Sequence, residues 1–236
     1  ELAAAKAAAA GDAAAQRRLA EAERLVSDGP DKPFLGVFFP DEQNGFALGA
    51  YGLIFGTTDG GETWRSLQPL LDNPKSRHLY AMGAVGRDWY VAGEQGLVFR
   101  SEDAGKSFVP VNTPYTGSYF GILSGAKAEL FVFGLRGNVY RSEDGGSTWT
   151  KIETGVPASV TGGTRLGDGS LVLVDEAGRL VRSDDGGRTF RPIPVPQPLP
   201  FTGVVQASDG NVVASGVAGV NRLVVTGNSN RGESKP

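Results

Sequence analysis

The chain has 236 residues, 40% of them hydrophobic, and a formal charge of −3 with a pI near 5.3. That balance argues against a nucleic-acid binder, which carries a strong basic excess, and the lack of cysteine excludes disulfides, thiolate nucleophiles and cysteine-based zinc sites. Glycine, at 35 residues, is about twice its usual share without a triplet period, as expected for many short strands joined by tight turns. No apolar run approaches the roughly 20 residues that span a bilayer. The chain starts at Glu1 rather than Met, which points to a segment removed upstream and leaves localisation without a signal to read.

Residues 1–27 are rich in Ala, Glu, Lys, Gln, Arg and Leu, all strong helix formers. Gly11-Asp12 interrupts the run, with Asp12 as an N-cap for a second stretch from Ala13 to Val26. Ala15, Leu19, Ala22 and Val26 recur there at helical spacing, with Arg17, Arg18, Glu21, Glu23 and Arg24 on the other face. A helix lying on the main domain is expected, since the stripe is too small-sided for a membrane surface. Ser27-Asp-Gly-Pro-Asp-Lys-Pro33 ends it, so residues 1–33 form a helical segment and linker.

After Pro33 the chain repeats. Thr57-Thr-Asp59-Gly-Gly61-Glu-Thr-Trp64, Ser101-Glu-Asp103-Ala-Gly105-Lys-Ser-Phe108, Ser142-Glu-Asp144-Gly-Gly146-Ser-Thr-Trp149 and Ser183-Asp-Asp185-Gly-Gly187-Arg-Thr-Phe190 align without gaps, their starts 44, 41 and 41 residues apart. A Gly-x-x-Gly landmark keeps the same beat: Gly49/Gly52, Gly93/Gly96, Gly134/Gly137 and Gly216/Gly219, with Asp175 replacing the first glycine before Gly178. Five repeats are therefore expected, at about 34–70, 76–113, 116–154, 158–195 and 199–226, followed by a polar tail to residue 236. The fifth lacks the aspartate motif.

One repeat has readable physics. A strand such as Phe46-Ala47-Leu48 enters the Gly-x-x-Gly turn, where glycine permits positive φ. A second strand follows, and the aspartate motif then makes another hairpin, its carboxylate accepting bonds from turn amides. The closing Trp or Phe folds back onto the sheet, a short outer strand ends the unit, and the diverged stretch ahead of each glycine turn, such as Tyr119–Leu123, supplies the innermost strand. Four-stranded antiparallel sheets of about 41 residues bury both faces best as radial blades, so the fold class is an all-β propeller.

The Ser-x-Asp-x-Gly-x-Thr-Trp motif resembles the Asp box, or BNR repeat, of sialidases and sortilin-like receptors. Residues 38–64, with Asp41, Gly45-Phe46-Ala47, Gly49, Gly52 and the first Asp box in order, are similar to the Ycf48/Hcf136 family of photosystem II assembly factors and its relatives in non-photosynthetic bacteria. The resemblance runs from residue 34 to about 225. It implies a non-enzymatic, extracytoplasmic (periplasmic) propeller with no cofactor that binds an integral membrane protein or complex, in some bacteria an RND-type transporter. The family is seven-bladed; five repeats leave open either two blades missing upstream, with the helix as an insertion, or a true five-bladed ring.

An Asp-box glycoside hydrolase or carbohydrate-binding propeller is the alternative. The recurrent acids Asp59, Asp103, Asp144 and Asp185 are explained by turns rather than by a paired-carboxylate site or calcium loops. His78, the sole histidine, reads as a loop residue between the first two blades. Arg100, Arg141 and Arg182 directly precede their Asp boxes, either stacking and pairing within the blades or forming a basic arc for a partner. The Gly-x-x-Gly tips should lie on the opposite end, where Tyr51, Leu135 and Arg136 are the expected contacts. No nucleic-acid partner is expected, nor a small-molecule ligand, and the prolines from Pro192 to Pro200 read as a stiff connector.

Overall fold

The computed structural model describes residue 6 and residues 13–225; the expected Asp12 cap lies outside them. Helix α1 runs Ala13–Asp28 and ends at Gly29, whose φ of 72° suits a left-handed cap. Ala15 and Ala22 are buried as the stripe requires, but Val26 is exposed. Leu25 takes the inward place instead and lines a cleft with Leu53 and Phe55.

Five antiparallel sheets follow. Blade 1 comprises β1 (Phe34–Phe38), β2 (Gly45–Gly49), β3 (Ile54–Thr57) and β4 (Arg65–Ser66). Blade 2 has β5 (Leu79–Val85), β6 (Asp88–Gly93), β7 (Val98–Ser101) and β8 (Val109–Pro110). Blade 3 has β9 (Tyr119–Ser124), β10 (Leu130–Gly134), β11 (Val139–Ser142) and β12 (Thr150–Lys151). Blade 4 has β13 (Val160–Arg165), β14 (Leu171–Asp175), β15 (Leu180–Ser183) and β16 (Arg191–Ile193). Among the described residues blade 5 has three strands, β17 (Phe201–Gln206), β18 (Val212–Gly216) and β19 (Gly219–Leu223).

The core is divided into four seams, one between each pair of successive blades. Leu48 and Ile54 of blade 1 meet Leu79, Val91 and Phe99 of blade 2. Tyr90, Ala92 and Val98 then meet Tyr119, Leu130, Val132 and Tyr140, Phe131, Phe133 and Ile152 meet Val160, Leu171 and Leu173, and Val172, Val174 and Leu180 meet Phe201, Val212 and Ala214. The innermost strands pack in the same sequence, β1 on β5, β5 on β9, β9 on β13 and β13 on β17, with no such packing between β17 and β1. Among the described residues the five blades thus make an arc whose first and last innermost strands do not pack on each other as the successive ones do. Among the described residues, Phe34 and Val37 are exposed on blade 1, and Val205 and Val220 on blade 5.

Each innermost strand carries a small residue at one register position, Gly36, Ala81, Gly121, Gly162 and Gly203, and the ladder skips the residue before it. The reason is close approach near the axis: a Cβ on Gly36 would lie 2.6 Å from the Tyr80 carbonyl oxygen of the next blade. The skipped residues, Leu35, Tyr80, Phe120, Thr161 and Thr202, are bulges, which re-aim a side chain.

Each Asp box is a closed hydrogen-bond circuit. In the third, the Ser142 hydroxyl donates to Asp144 (2.8 Å) and accepts from the Gly146 amide (2.7 Å), while Asp144 also accepts from the amide (2.8 Å) and hydroxyl (2.7 Å) of Thr148. These bonds favour the charged carboxylate. Those from the Thr148 amide and hydroxyl hold Asp144 at about 2 against an ordinary 3.8. The Thr57 and Thr63 hydroxyls hold Asp59 at about 2, and the hydroxyl and amide of Ser107 do the same for Asp103. At Asp185 burial opposes the effect, yet the bonds from Thr189 and Ser183 carry the group well below the usual range.

Two predictions follow from this architecture. Phe34 and Phe201 occupy the same repeat position, each opposite the end of its blade's second strand, yet Phe34 is 59% exposed and Phe201 1%. In urea unfolding, Phe201→Ala is expected to cost about 3–5 kcal/mol and Phe34→Ala about 1 kcal/mol or less; equal losses would mean that blade 1's end face is covered. The carboxylates have folded values below their unfolded one, so the stability they lend is complete above pH 3.8 and is lost as pH falls towards 2. Urea midpoints should therefore hold level from neutral pH and drop steeply through that window. The triple variant Asp59→Asn, Asp103→Asn, Asp144→Asn should be weaker at neutral pH with a shallower acid drop, and an unchanged acid slope would assign the drop to other groups.

Candidate partner-binding face

The arc has two ends of different chemistry. At one end stand the Gly-x-x-Gly turns and the entries to the innermost strands. The turns are tied to those entries by backbone bonds: Ala50 to Pro33 (3.0 Å), Glu94 to His78 (3.0 Å), Leu135 to Ser118 (3.0 Å) and Glu176 to Ser159 (3.1 Å). The Asp boxes occupy the other end, tied to the hairpin between first and second strands, as in the 2.9 Å bond from the Gly60 amide to the Gln43 carbonyl.

On the tip end, three successive turns place a non-glycine side chain in the left-handed region: Tyr51 at φ 56°, Gln95 at 54° and Arg136 at 57°. The glycine after each is also left-handed, and in blades 2 and 3 it has no room for a side chain: a Cβ would lie 2.0 Å from the Tyr115 carbonyl oxygen at Gly96 and 1.7 Å from that of Val156 at Gly137. Non-glycine residues resist this conformation, so the tips hold Tyr51, Gln95 and Arg136 outward at some cost in stability. In blade 4 the Asp175 carboxylate substitutes, accepting from the amides of Ala177 (3.0 Å) and Arg179 (2.7 Å). The fifth turn departs from the expected spacing: Val217 and Ala218 alone join β18 to β19.

Tyr51 is exposed, Arg136 is exposed and Leu135 is half-buried. From Tyr51 an aromatic path crosses inward. Its ring centroid lies 5.1 Å from that of His78, His78 lies 6.3 Å from Tyr80, and Tyr80 meets Phe120 edge-on at 5.3 Å. Glu94 accepts from the His78 amide (2.9 Å) and sits 3.5 Å from the Tyr80 hydroxyl. Tyr80 and Phe120 are two of the bulged residues, so the path joins the tips to the innermost strands. Sequence reasoning placed His78 in a loop and missed the path. The signal was a bulky residue directly before the small one in Tyr80-Ala81 and Phe120-Gly121. A cleft of ≈ 470 Å³ opens beside Tyr51, lined by Arg24, Leu25 and Lys32 of the helical segment and by Gln68. Lys32 is held there between Asp28 (3.0 Å) and Asp31 (2.8 Å).

The three arginines lie at the Asp-box end and are not brought together with the tips. Each clamps an acid of the first hairpin and one of the Asp box. Arg100 reaches Asp88 (2.5 Å) and Glu102 (2.9 Å), Arg141 reaches Glu129 and Glu143, and Arg182 reaches Asp168 (2.7 Å) and Asp184 (2.6 Å). Arg141 and Arg182 are buried, with Arg141 over the Phe131 ring. A fourth pair, Arg222 with Asp209, extends the series to blade 5. Of the two readings of these arginines, pairing within the blade and a basic arc for a partner, the geometry displays the pairing, in which fork-shaped guanidinium groups held by two carboxylates have few donors left.

Repeat length, glycine tips, Asp boxes and radial stacking of blades are thus visible in the geometry. The chain is 31% identical over 74 residues to the photosystem II assembly lipoprotein Ycf48 of Synechococcus sp. (strain CC9902), a match covering 31% of this chain and 22% of the relative. Its structure is similar to that of YCF48 bound to D1 peptide (TM-score 0.64, 19% identity, 78% of this chain and 62% of that one). It is also similar to virginiamycin B lyase from Staphylococcus aureus (TM-score 0.63, 14% identity, 84% and 83% covered). At those identities the two structures share the fold alone, and the fold serves a binding protein and an enzyme alike. The chain thus spans about three-fifths of the YCF48 structure it matches. The family model described as photosynthesis system II assembly factor YCF48 matches residues 24–193, and on that match this chain belongs to the YCF48 family.

Proposed function

We propose that this chain is a non-catalytic, extracytoplasmic binding module that helps assemble or hold an integral membrane protein complex, and that it meets its partner with the Gly-x-x-Gly end. Family membership supports the assembly role, and the related Ycf48 is named a lipoprotein and an assembly factor. Among the described residues no helix is long and apolar enough to cross a membrane. In a bacterium without photosystems an RND-type transporter is the partner of choice.

The observation that carries the choice of face is the row of strained tips. Tyr51 and Arg136 are exposed and left-handed, where glycine would be more stable. Strain of this kind persists where a side chain is needed for function. Tyr and Arg are also the residue types enriched at interfaces, and the path Tyr51–His78–Tyr80–Phe120 offers a continuous aromatic surface behind the first tip. Against catalysis, the recurrent acids are taken up by turn hydrogen bonds and the arginines by clamps.

The double variant Tyr51→Gly, Arg136→Gly separates folding from function. Relief of left-handed strain is expected to leave stability unchanged or raise it by about 1 kcal/mol, read as the urea midpoint. Affinity capture from detergent-solubilised membranes should recover an integral membrane protein with the unaltered chain and lose it with the double variant. Recovery of the same membrane protein by both would remove the tips from the interface, and hydrolysis of a glycan by the unaltered chain would replace the binding role with an enzymatic one.

A further inference from the structure

The hairpin acids at the Asp-box end share arginines: Asp88 and Glu102 share Arg100, Glu129 and Glu143 share Arg141, and Asp168 and Asp184 share Arg182. Glu94, the first residue of the second tip turn, has no such partner. Its side chain is 30% exposed, and among the described residues it forms no ion pair with a lysine or an arginine. Arg77, next to His78 in the chain, is turned to Gln95 Oε1 instead (3.1 Å). A carboxylate half-withdrawn from water without a counter-ion costs stability.

The two oxygens of Glu94 are used differently. Oε2 accepts from the His78 amide at 2.9 Å and so caps the entry to the innermost strand of blade 2. Oε1 has the Tyr80 hydroxyl at 3.5 Å, the outer limit of a hydrogen bond, and His78 Nδ1 at 3.9 Å, beyond it. The cap alone does not account for the surroundings. Glu176 holds the same tip position in blade 4 and gives the Ser159 amide the same cap at 3.0 Å, but the bulged residue there is Thr161, whose hydroxyl is bound to the Phe201 carbonyl (2.7 Å). In blade 2 the surroundings are aromatic. Tyr51, 54% exposed, and Tyr80 both meet the His78 ring, and Phe120 backs Tyr80. Burial and the charge of Glu94 push the Tyr80 phenol up, the response of a weak acid beside a carboxylate that no cation neutralises.

We propose that Glu94, together with Tyr51, His78 and Tyr80, receives a cationic side chain, lysine or arginine, carried by the partner polypeptide. The proposal rests on the tip end being the partner face and names what that face selects. The ammonium or guanidinium group bonds Glu94 Oε1, a charge-assisted contact. Its apolar stem lies against the rings, as the stems of long basic side chains do on apolar surface, and the ring quadrupoles attract the same positive charge. Acid and rings thus act on one group, which neither an acidic nor a purely apolar side chain would satisfy.

The test titrates the full chain, isotope-labelled, with acetyl-Gly-Arg-Gly-amide and acetyl-Gly-Lys-Gly-amide. NMR follows the ring protons of His78, the sole histidine, and the amides of residues 93–97. Both peptides are expected to give saturable shifts there, and the same peptides with norleucine or glutamate at the centre to give none. Glu94→Gln keeps an oxygen for the His78 amide and removes the charge, so binding should weaken about threefold to tenfold with the urea midpoint nearly kept. Glu176→Gln alters the equivalent cap alone and should leave binding unchanged. No saturable shifts, equal binding of the norleucine peptide, undiminished affinity in Glu94→Gln, or shifts centred on the Asp boxes would overturn the proposal. Failure of the tip face reads differently. Peptide binding that Glu94→Gln weakens, beside membrane capture indifferent to Tyr51→Gly and Arg136→Gly, would keep the cation site and remove the tips from the partner interface. Capture lost in that double variant with no peptide bound would keep the tip face and overturn the cation site.

Discussion

The apolar seam between successive blades is the interaction on which the rest of the structure depends. A four-stranded sheet of some 41 residues has two faces and cannot bury either alone, so each blade depends on a seam shared with a neighbour. Four seams are filled, from Leu48 against Leu79 through to Val174 against Phe201. Wedge geometry then dictates the small residues of the innermost strands: seams that are broad at the rim must narrow at the axis, where Gly162 and Gly203 of neighbouring blades come within van der Waals reach. The bulge beside each small residue is the other consequence of the same crowding, since a strand that turns sharply towards the axis drops one residue from its ladder.

The two ends of the strands differ in how their side chains are occupied. The Asp-box end is saturated with local bonds: the box circuits, the arginine clamps and the reach of Trp149 Nε1 to the Asn112 carbonyl of the preceding blade (3.0 Å). Side chains so occupied have little left to offer a partner. At the tip end the main chain is satisfied by its own turns and the side chains are free to project, with Gln95 engaged by Arg77 (3.1 Å) at the middle tip. The proposed recognition face is thus the end where backbone bonds suffice for folding, a division common in folds that mount variable loops on a rigid frame.

Much of the frame was legible in the chain because each repeat states its geometry several times over. The Asp-x-Gly spacing named the lower turns, the glycine pairs named the upper ones, and the beat of 41 named the blade. Three features escaped for physical reasons. Val26 and Leu25 differ by one helical position, about 100° of rotation, and a stripe of alanines cannot decide between them. The fifth tip turn is a two-residue hairpin, a change of a single residue that the glycine beat conceals. The acids that clamp Arg100, Arg141 and Arg182 sit 12 to 14 residues upstream, across two strands, so the pairing becomes visible only when the hairpin is formed.

The arc and the strained tips bear on one another. Were left-handed residues a neutral feature of the turn, glycine would be expected at all the tips, since the backbone there is fully determined by the bonds from Gly49 to Leu53 and from Leu53 to Ala50. Blades 1, 2 and 3 instead carry Tyr, Gln and Arg in succession, while blade 4 relaxes to an aspartate-capped turn and blade 5 to a plain hairpin. The aromatic path follows the same boundary: it starts at Tyr51 and ends at Phe120, with threonines at the bulges of blades 4 and 5. Strain and aromatic surface therefore coincide on the first three blades, beside the helix and its cleft, and a partner docking on the tip end is best placed there rather than spread around the arc.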